Sequence, residues 1–158
     1  MEAFRGKVVI TILGLIVSTV QSSAQQSANN LKSMVFFKGR CSTFTIGPQR
    51  YTCDKMFYTQ FSNGRIAFNI ALPGGAIMLS GGKDSQIDPA RYVLEIDTIR
   101  TGNDKGESQS YKAKGQCRVH MSGDGEFVKT VSCRANNGME AVNIEFKGDG
   151  SRVDKKFF

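Results

Sequence analysis

From Met34 onward the chain never runs far before a turn residue interrupts it. Gly47-Pro48, Asn63-Gly64, Pro73-Gly74-Gly75, Gly81-Gly82, Asp88-Pro89, Gly102-Asn103, Gly123-Asp124-Gly125 and Asn137-Gly138 divide it at short intervals. Gly supplies positive φ, Pro presets φ, and Asn and Asp bond back to their own backbone. Between these stops lie runs rich in Val, Ile, Phe and Tyr, the side chains that fit a pleated surface. Apolar residues nowhere keep the i, i+3, i+4, i+7 spacing of an amphipathic helix, and Pro89-Ala90-Arg91 has room for one helical turn only. The pattern predicts an all-β chain of eight or nine strands, near 34–39, 41–46, 50–60, 65–72, 76–80, 91–99, 109–121, 127–135 and 139–147. Nearly every connection has hairpin length, so the strands form an antiparallel meander. Such a meander closes into a small barrel or folds over as a β-sandwich. Closure removes exposed edges, which favours the barrel.

Residues 1–24 read as a signal peptide. Arg5 and Lys7 supply positive charge, Val8 to Val20 carry none, and Ser22-Ser23-Ala24 offers the small residues a signal peptidase reads. That uncharged run rises about 20 Å as a helix, short of a ~30 Å hydrocarbon core. The segment is therefore read as removable, with no transmembrane anchor left after cleavage. Residues 25–33 read as a flexible polar lead-in and 34–158 as a single β domain. Loss of Glu2, Arg5 and Lys7 takes the formal charge from +7 to +6. The expected location is periplasmic or secreted.

Export puts Cys41, Cys53, Cys117 and Cys133 in an oxidising compartment. With no C-x-x-C pair and a single histidine in the chain, the residues do not suggest zinc. Hairpin register indicates how they pair. Asn137-Gly138, taken as a two-residue type I′ turn, sets Cys133 opposite Val142 and Val131 opposite Ile144. A loop at Asp124-Gly125-Glu126 sets Cys117 opposite Cys133 and Val119 opposite Val131. Directly opposed residues lie within disulfide reach. Cys41 and Cys53 flank Gly47 symmetrically. The expected bridges are Cys41–Cys53 and Cys117–Cys133. By the same logic Asn63-Gly64 would set Phe61 opposite Ile66, Thr59 opposite Phe68 and Phe57 opposite Ile70 on one apolar face. Arg65, Ala67 and Asn69 then take the other face.

Catalytic patterns are thin. His120 alternates with Cys117, Val119 and Met121, so it faces outward, away from any partner imidazole or thiol. Ser80-Gly81-Gly82-Lys83 matches S-x-x-K without the accompanying S-D-N and K-T-G. It also lacks the G-K-[ST] of a phosphate loop, and is read as a loop tip over 80–86 carrying Lys83 and Asp84. Glu95 and Asp97 alternate with Leu94 and Ile96 as an exposed polar face. A membrane barrel is disfavoured because Lys156, Asp154 and Arg152 occupy the alternate positions ahead of Phe158. No catalytic residue, cofactor or metal ligand is expected.

The basic residues carry the best functional signal. Lys112, Lys114, Arg118 and His120 point outward on one strand, and Arg134 falls opposite Gln116 on the same face. The expectation is an exported, non-catalytic protein binding an anionic envelope component or a protein partner through Lys112, Lys114, Arg118 and Arg134. Lys83 in the 80–86 loop is the second contact. Nucleic acid is not expected, since no outward aromatics interleave the stripe. An alternative is a small-ligand barrel whose lumen is lined by Phe57, Phe61, Phe68, Ile70, Leu94 and Ile96; a hydrolase is the third reading.

Overall fold

The computed structural model describes residues 30–158, and the signal segment and residues 25–29 lie outside them. Eleven strands and no helix are found there. They are β1 (Leu31–Ile46), β2 (Gln49–Arg50), β3 (Lys55–Phe61), β4 (Ile66–Leu72), β5 (Gly75–Gly81), β6 (Lys83–Asp88), β7 (Arg91–Asn103), β8 (Ser108–Met121), β9 (Val128–Asn136), β10 (Ala141–Gly148) and β11 (Asp154–Phe157). Strands β1, β3, β4, β5, β7, β8, β9 and β10 pair antiparallel in that order, and β10 returns to β1. The result is a closed eight-stranded barrel, with β2, β6 and β11 as additions to its wall.

Alternation along the strands fills the interior. Phe44, Met56, Phe68, Ile70, Ile77, Leu79, Leu94, Ile144 and Phe146 are almost wholly buried, with Cys117, Val131 and Cys133 among them. Each large apolar side chain so buried contributes about 1.5–3 kcal/mol. A lumen of eight strands is just wide enough for such side chains to fill. Both expected disulfides form. Cys117 stands opposite Cys133 across β8 and β9 with Cα atoms 4.0 Å apart, and Cys41–Cys53 spans 5.2 Å.

Several local expectations are corrected. The Asn63-Gly64 loop holds three residues, not two. Phe61 N–H donates to Arg65 C=O at 2.9 Å, and only Gly64 has positive φ, at 80°. A type I′ turn needs positive φ at Asn63 as well. The register therefore moves by one residue, pairing Tyr58 with Phe68 and Thr59 with Ala67. A one-residue slip exchanges faces. Tyr58 and Met56 consequently turn inward with Phe68 and Ile70, while Phe57 stacks on Phe36 outside. The Asn137-Gly138 loop holds four residues, Ile144 facing Cys133 and Val142 facing Ala135. That slip of two keeps the inward row intact.

The expected loop at 80–86 is strand. One unbroken register carries β5 into β6, from Gly75 opposite Asn103 through Ser80 opposite Thr98 to Lys83 opposite Glu95. Gly81 marks close strand approach here and no turn: a Cβ on it would lie 1.7 Å from Glu95 O. Pro89-Ala90 forms the β6–β7 hairpin turn, with Ala90 N–H donating to Asp88 Oδ1 at 2.8 Å. Runs 34–39 and 41–46 are one strand, β1, whose register shifts between Cys41 and Thr43. It begins at Leu31, inside the expected polar lead-in, because β3 and β11 both pair with its first half. Residues 51–54, expected as strand, connect β2 to β3.

Candidate functional site

Strand β8 alternates cleanly. Cys117 and Val119 point inward, while Lys112, Lys114, Gln116, Arg118 and His120 are exposed on the outer face. Alternate positions on a strand repeat every 6.8 Å or so. Lys112 to Arg118 thus forms a cationic line about 20 Å long. Its neighbours are largely uncharged. Thr98 stands beside Lys112, Asn136 beside Lys114, and Val93 and Ser132 on either side of Arg118. Lys112, Lys114 and Arg118 form no ion pair among the described residues.

Arg134 joins this face opposite Gln116, as the sequence register requires. Its guanidinium lies 3.5 Å from Glu145 Oε1, which also accepts a 2.9 Å hydrogen bond from Ser132. Arg134 is therefore partly neutralised, a partner that strand alternation alone does not reveal. Lys83 also arrives on this face, because β6 is strand: Lys83, Glu95, Gln116 and Arg134 form one row across β6, β7, β8 and β9. The two expected contact surfaces are thus one. Arg91, beside His120, is engaged by Asp88 at 2.6 Å, and the guanidinium holds the Asp88 carboxyl below its ordinary range.

The carboxylates that alternate along β7 separate in role. Glu95 lies within the basic face. Asp97 takes two hydrogen bonds from Arg65, at 2.5 and 3.1 Å, and that guanidinium also reaches Ser80 at 3.2 Å. The Arg65 hydrogen bonds hold the Asp97 carboxyl below its usual range, against a smaller opposing effect of burial. Arg65, just ahead of β4, thereby ties that strand's start to β5 and β7 on the outside, where β5 passes into β6. Among the described residues no three His, Cys, Asp or Glu side chains gather as a metal site, and no helix is long and apolar enough to cross a membrane.

The lumen lining expected from sequence is corrected as well. Phe68, Ile70, Leu94 and Ile96 are packed core, and Phe57 and Phe61 belong to the other side of β3. The fold and its two bridges define a disulfide-stapled, all-β closed barrel with a basic outer strand face. No known protein-family model matches the chain, and no curated protein is significantly similar to it.

Proposed function

We propose that this is an exported, non-catalytic barrel that binds an anionic envelope component through the outer face of β8 and its neighbours, in the periplasm or outside the cell. One observation carries the reading: Lys112, Lys114 and Arg118 stand in line on one strand without acidic partners among the described residues. A unit charge pair at 4 Å is worth only about 1 kcal/mol in water, so several cations must act together on one extended anion. Arg134 and Lys83 extend the line sideways to adjoining strands. Two disulfides in a chain with an expected export signal suit an oxidising compartment.

Screening supplies the test, since the Debye length falls from about 10 Å at 0.1 M salt to 3 Å at 1 M. The mature protein should be held on a sulfated-polysaccharide matrix at low salt and released at high salt. The variant Lys112→Ser/Lys114→Ser/Arg118→Ser/Arg134→Ser should pass through with an unchanged circular dichroism spectrum, because all four side chains are exposed. Retention that ignores salt, or that survives the four substitutions, would refute the reading.

A further inference from the structure

One end of the barrel is not filled. Strand β10 leaves the wall at Gly148, and β11 takes its place beside the first half of β1. On the opposite side β6 pairs only with β7 and has no strand along its second edge among the described residues. Between these two irregularities lies a mostly apolar cavity of about 180 Å³, walled by Val35, Phe37, Phe68, Val119 and Val128. An apolar cavity of about 150 Å³ holds a benzene ring.

Two phenols enter this cavity, Tyr58 from β3 and Tyr92 from β7, with ring centroids 6.3 Å apart and meeting edge to face. Tyr92 is 7% exposed, and its hydroxyl completes no well-formed hydrogen bond among the described residues, although Asp84 and Tyr58 stand near enough to act on it as hydrogen-bonding groups. A buried hydroxyl left unpaired costs about 1–3 kcal/mol. Burial is the main cause that raises the pKa of both phenols; Tyr58 and then the Asp84 charge add to it at Tyr92, and the Asp84 charge adds to it at Tyr58 against a smaller lowering by Tyr92. Both therefore stay protonated and able to donate. Asp84 on the inner side of β6 and Lys155 at the rim bring opposite charges to the site. A charged ligand head would gain from one what it loses to the other, and would still lose its hydration. A neutral oxygen gives up far less hydration, and a hydrogen bond from the Tyr92 hydroxyl would replace the one it loses to water.

We propose that this end of the barrel binds a small neutral apolar molecule, a single ring or short chain, whose one oxygen accepts a hydrogen bond from the Tyr92 hydroxyl. The site is separate from the basic face, which lies on the outer surface. Its test compares acetophenone, ethylbenzene and benzoate by amide chemical-shift titration of the mature, disulfide-bonded chain. Acetophenone should bind saturably, shifting residues around Tyr92, Val119 and Val128, and about five-fold more tightly than ethylbenzene, the worth of one neutral hydrogen bond. Benzoate should bind more weakly than acetophenone. Tyr92→Phe should melt no lower than the parent, because it removes a buried hydroxyl that lacks a well-formed hydrogen bond, and should bind acetophenone no more tightly than ethylbenzene. Val153→Phe, built to fill the mouth, should lose both. The proposal is overturned by an absence of saturable acetophenone binding or by tighter binding of benzoate. It is also overturned by an acetophenone preference that survives Tyr92→Phe, or by unchanged binding in Val153→Phe.

Discussion

The two disulfides close loops of similar length but sit in different surroundings, so removing each in turn separates two contributions to stability. In the chain-entropy model, a separation of 16 residues for Cys117–Cys133 and 12 for Cys41–Cys53 gives about 3 kcal/mol for each bridge, with a difference of about 0.3 kcal/mol. Burial distinguishes them more. Cys117 and Cys133 are fully buried in the interior row, whereas Cys41 and Cys53 are only partly covered at the edge of the core. Replacement by alanine strips a sulfur comparable to a methylene from each position, at about 0.8 kcal/mol apiece where burial is complete. Cys117→Ala/Cys133→Ala should therefore cost about 4–5 kcal/mol and Cys41→Ala/Cys53→Ala about 3 kcal/mol. A small domain has only about 5–15 kcal/mol in total.

Urea unfolding of the parent and both double variants measures this directly. Each variant needs its own slope, since a chain freed of a crosslink exposes more surface when unfolded. The Cys117/Cys133 variant should have its midpoint lower than the other by roughly 0.5–1 M. Equal costs would refute the burial argument, and a Cys41/Cys53 variant as stable as the parent would refute the loop-entropy argument.

Two further outcomes follow from the wall of the barrel. Gly81→Ala would push a methyl into Glu95 O and should destabilise by about 1–3 kcal/mol in urea unfolding. Gly123→Ala, with open space at its Cβ and an ordinary φ, should stay within about 0.5 kcal/mol. Asp97 carries a lowered folded-state pKa, so its ion pair stabilises the fold above about pH 4 and is lost as pH falls through the lower folded value. The pair is substantially exposed, which limits it to under about 1 kcal/mol. Thermal melts of Asp97→Asn should fall below the parent at pH 7 and converge with it near pH 2. A gap that persists in acid would show that Asp97 acts other than through its charge.

The parity of strands was legible in the sequence where a covalent or apolar anchor set it. Cys117 and Val119 fix which way β8 faces and Cys133 does the same for β9, so the outward direction of Lys112, Lys114, Arg118 and Arg134 follows with no knowledge of the loops. The Asn137-Gly138 loop shows how much error such a reading tolerates. Its true length moves β10 by two residues against β9, and an even slip leaves Val142 and Ile144 inward. The Asn63-Gly64 loop, with the same dipeptide, moves β3 by one residue against β4 and exchanges its faces. An Asn-Gly pair serves a two-residue turn, or a three-residue loop in which Gly alone takes positive φ. The side chains of β3 do not break the tie, because Met56, Phe57, Tyr58 and Phe61 offer apolar residues to both sides.

The mouth was illegible for a different reason. Its shape depends on β6 and β11, whose sequences KDSQID and DKKF are almost entirely exposed and show no apolar alternation. Neither strand is specified by its own side chains. β6 exists because Gly81 lets β5 continue along β7, and β11 exists because β10 has left half of β1 unpaired. Strand identity here is a property of the neighbours' unsatisfied backbone groups, which must be paired wherever they are buried. The same cause leaves Tyr92 beside open space. Tyr92 faces inward opposite Gln86, on a strand longer than the wall that should cover it. The basic face requires only the direction of one strand, whereas the cavity requires knowing where several strands stop.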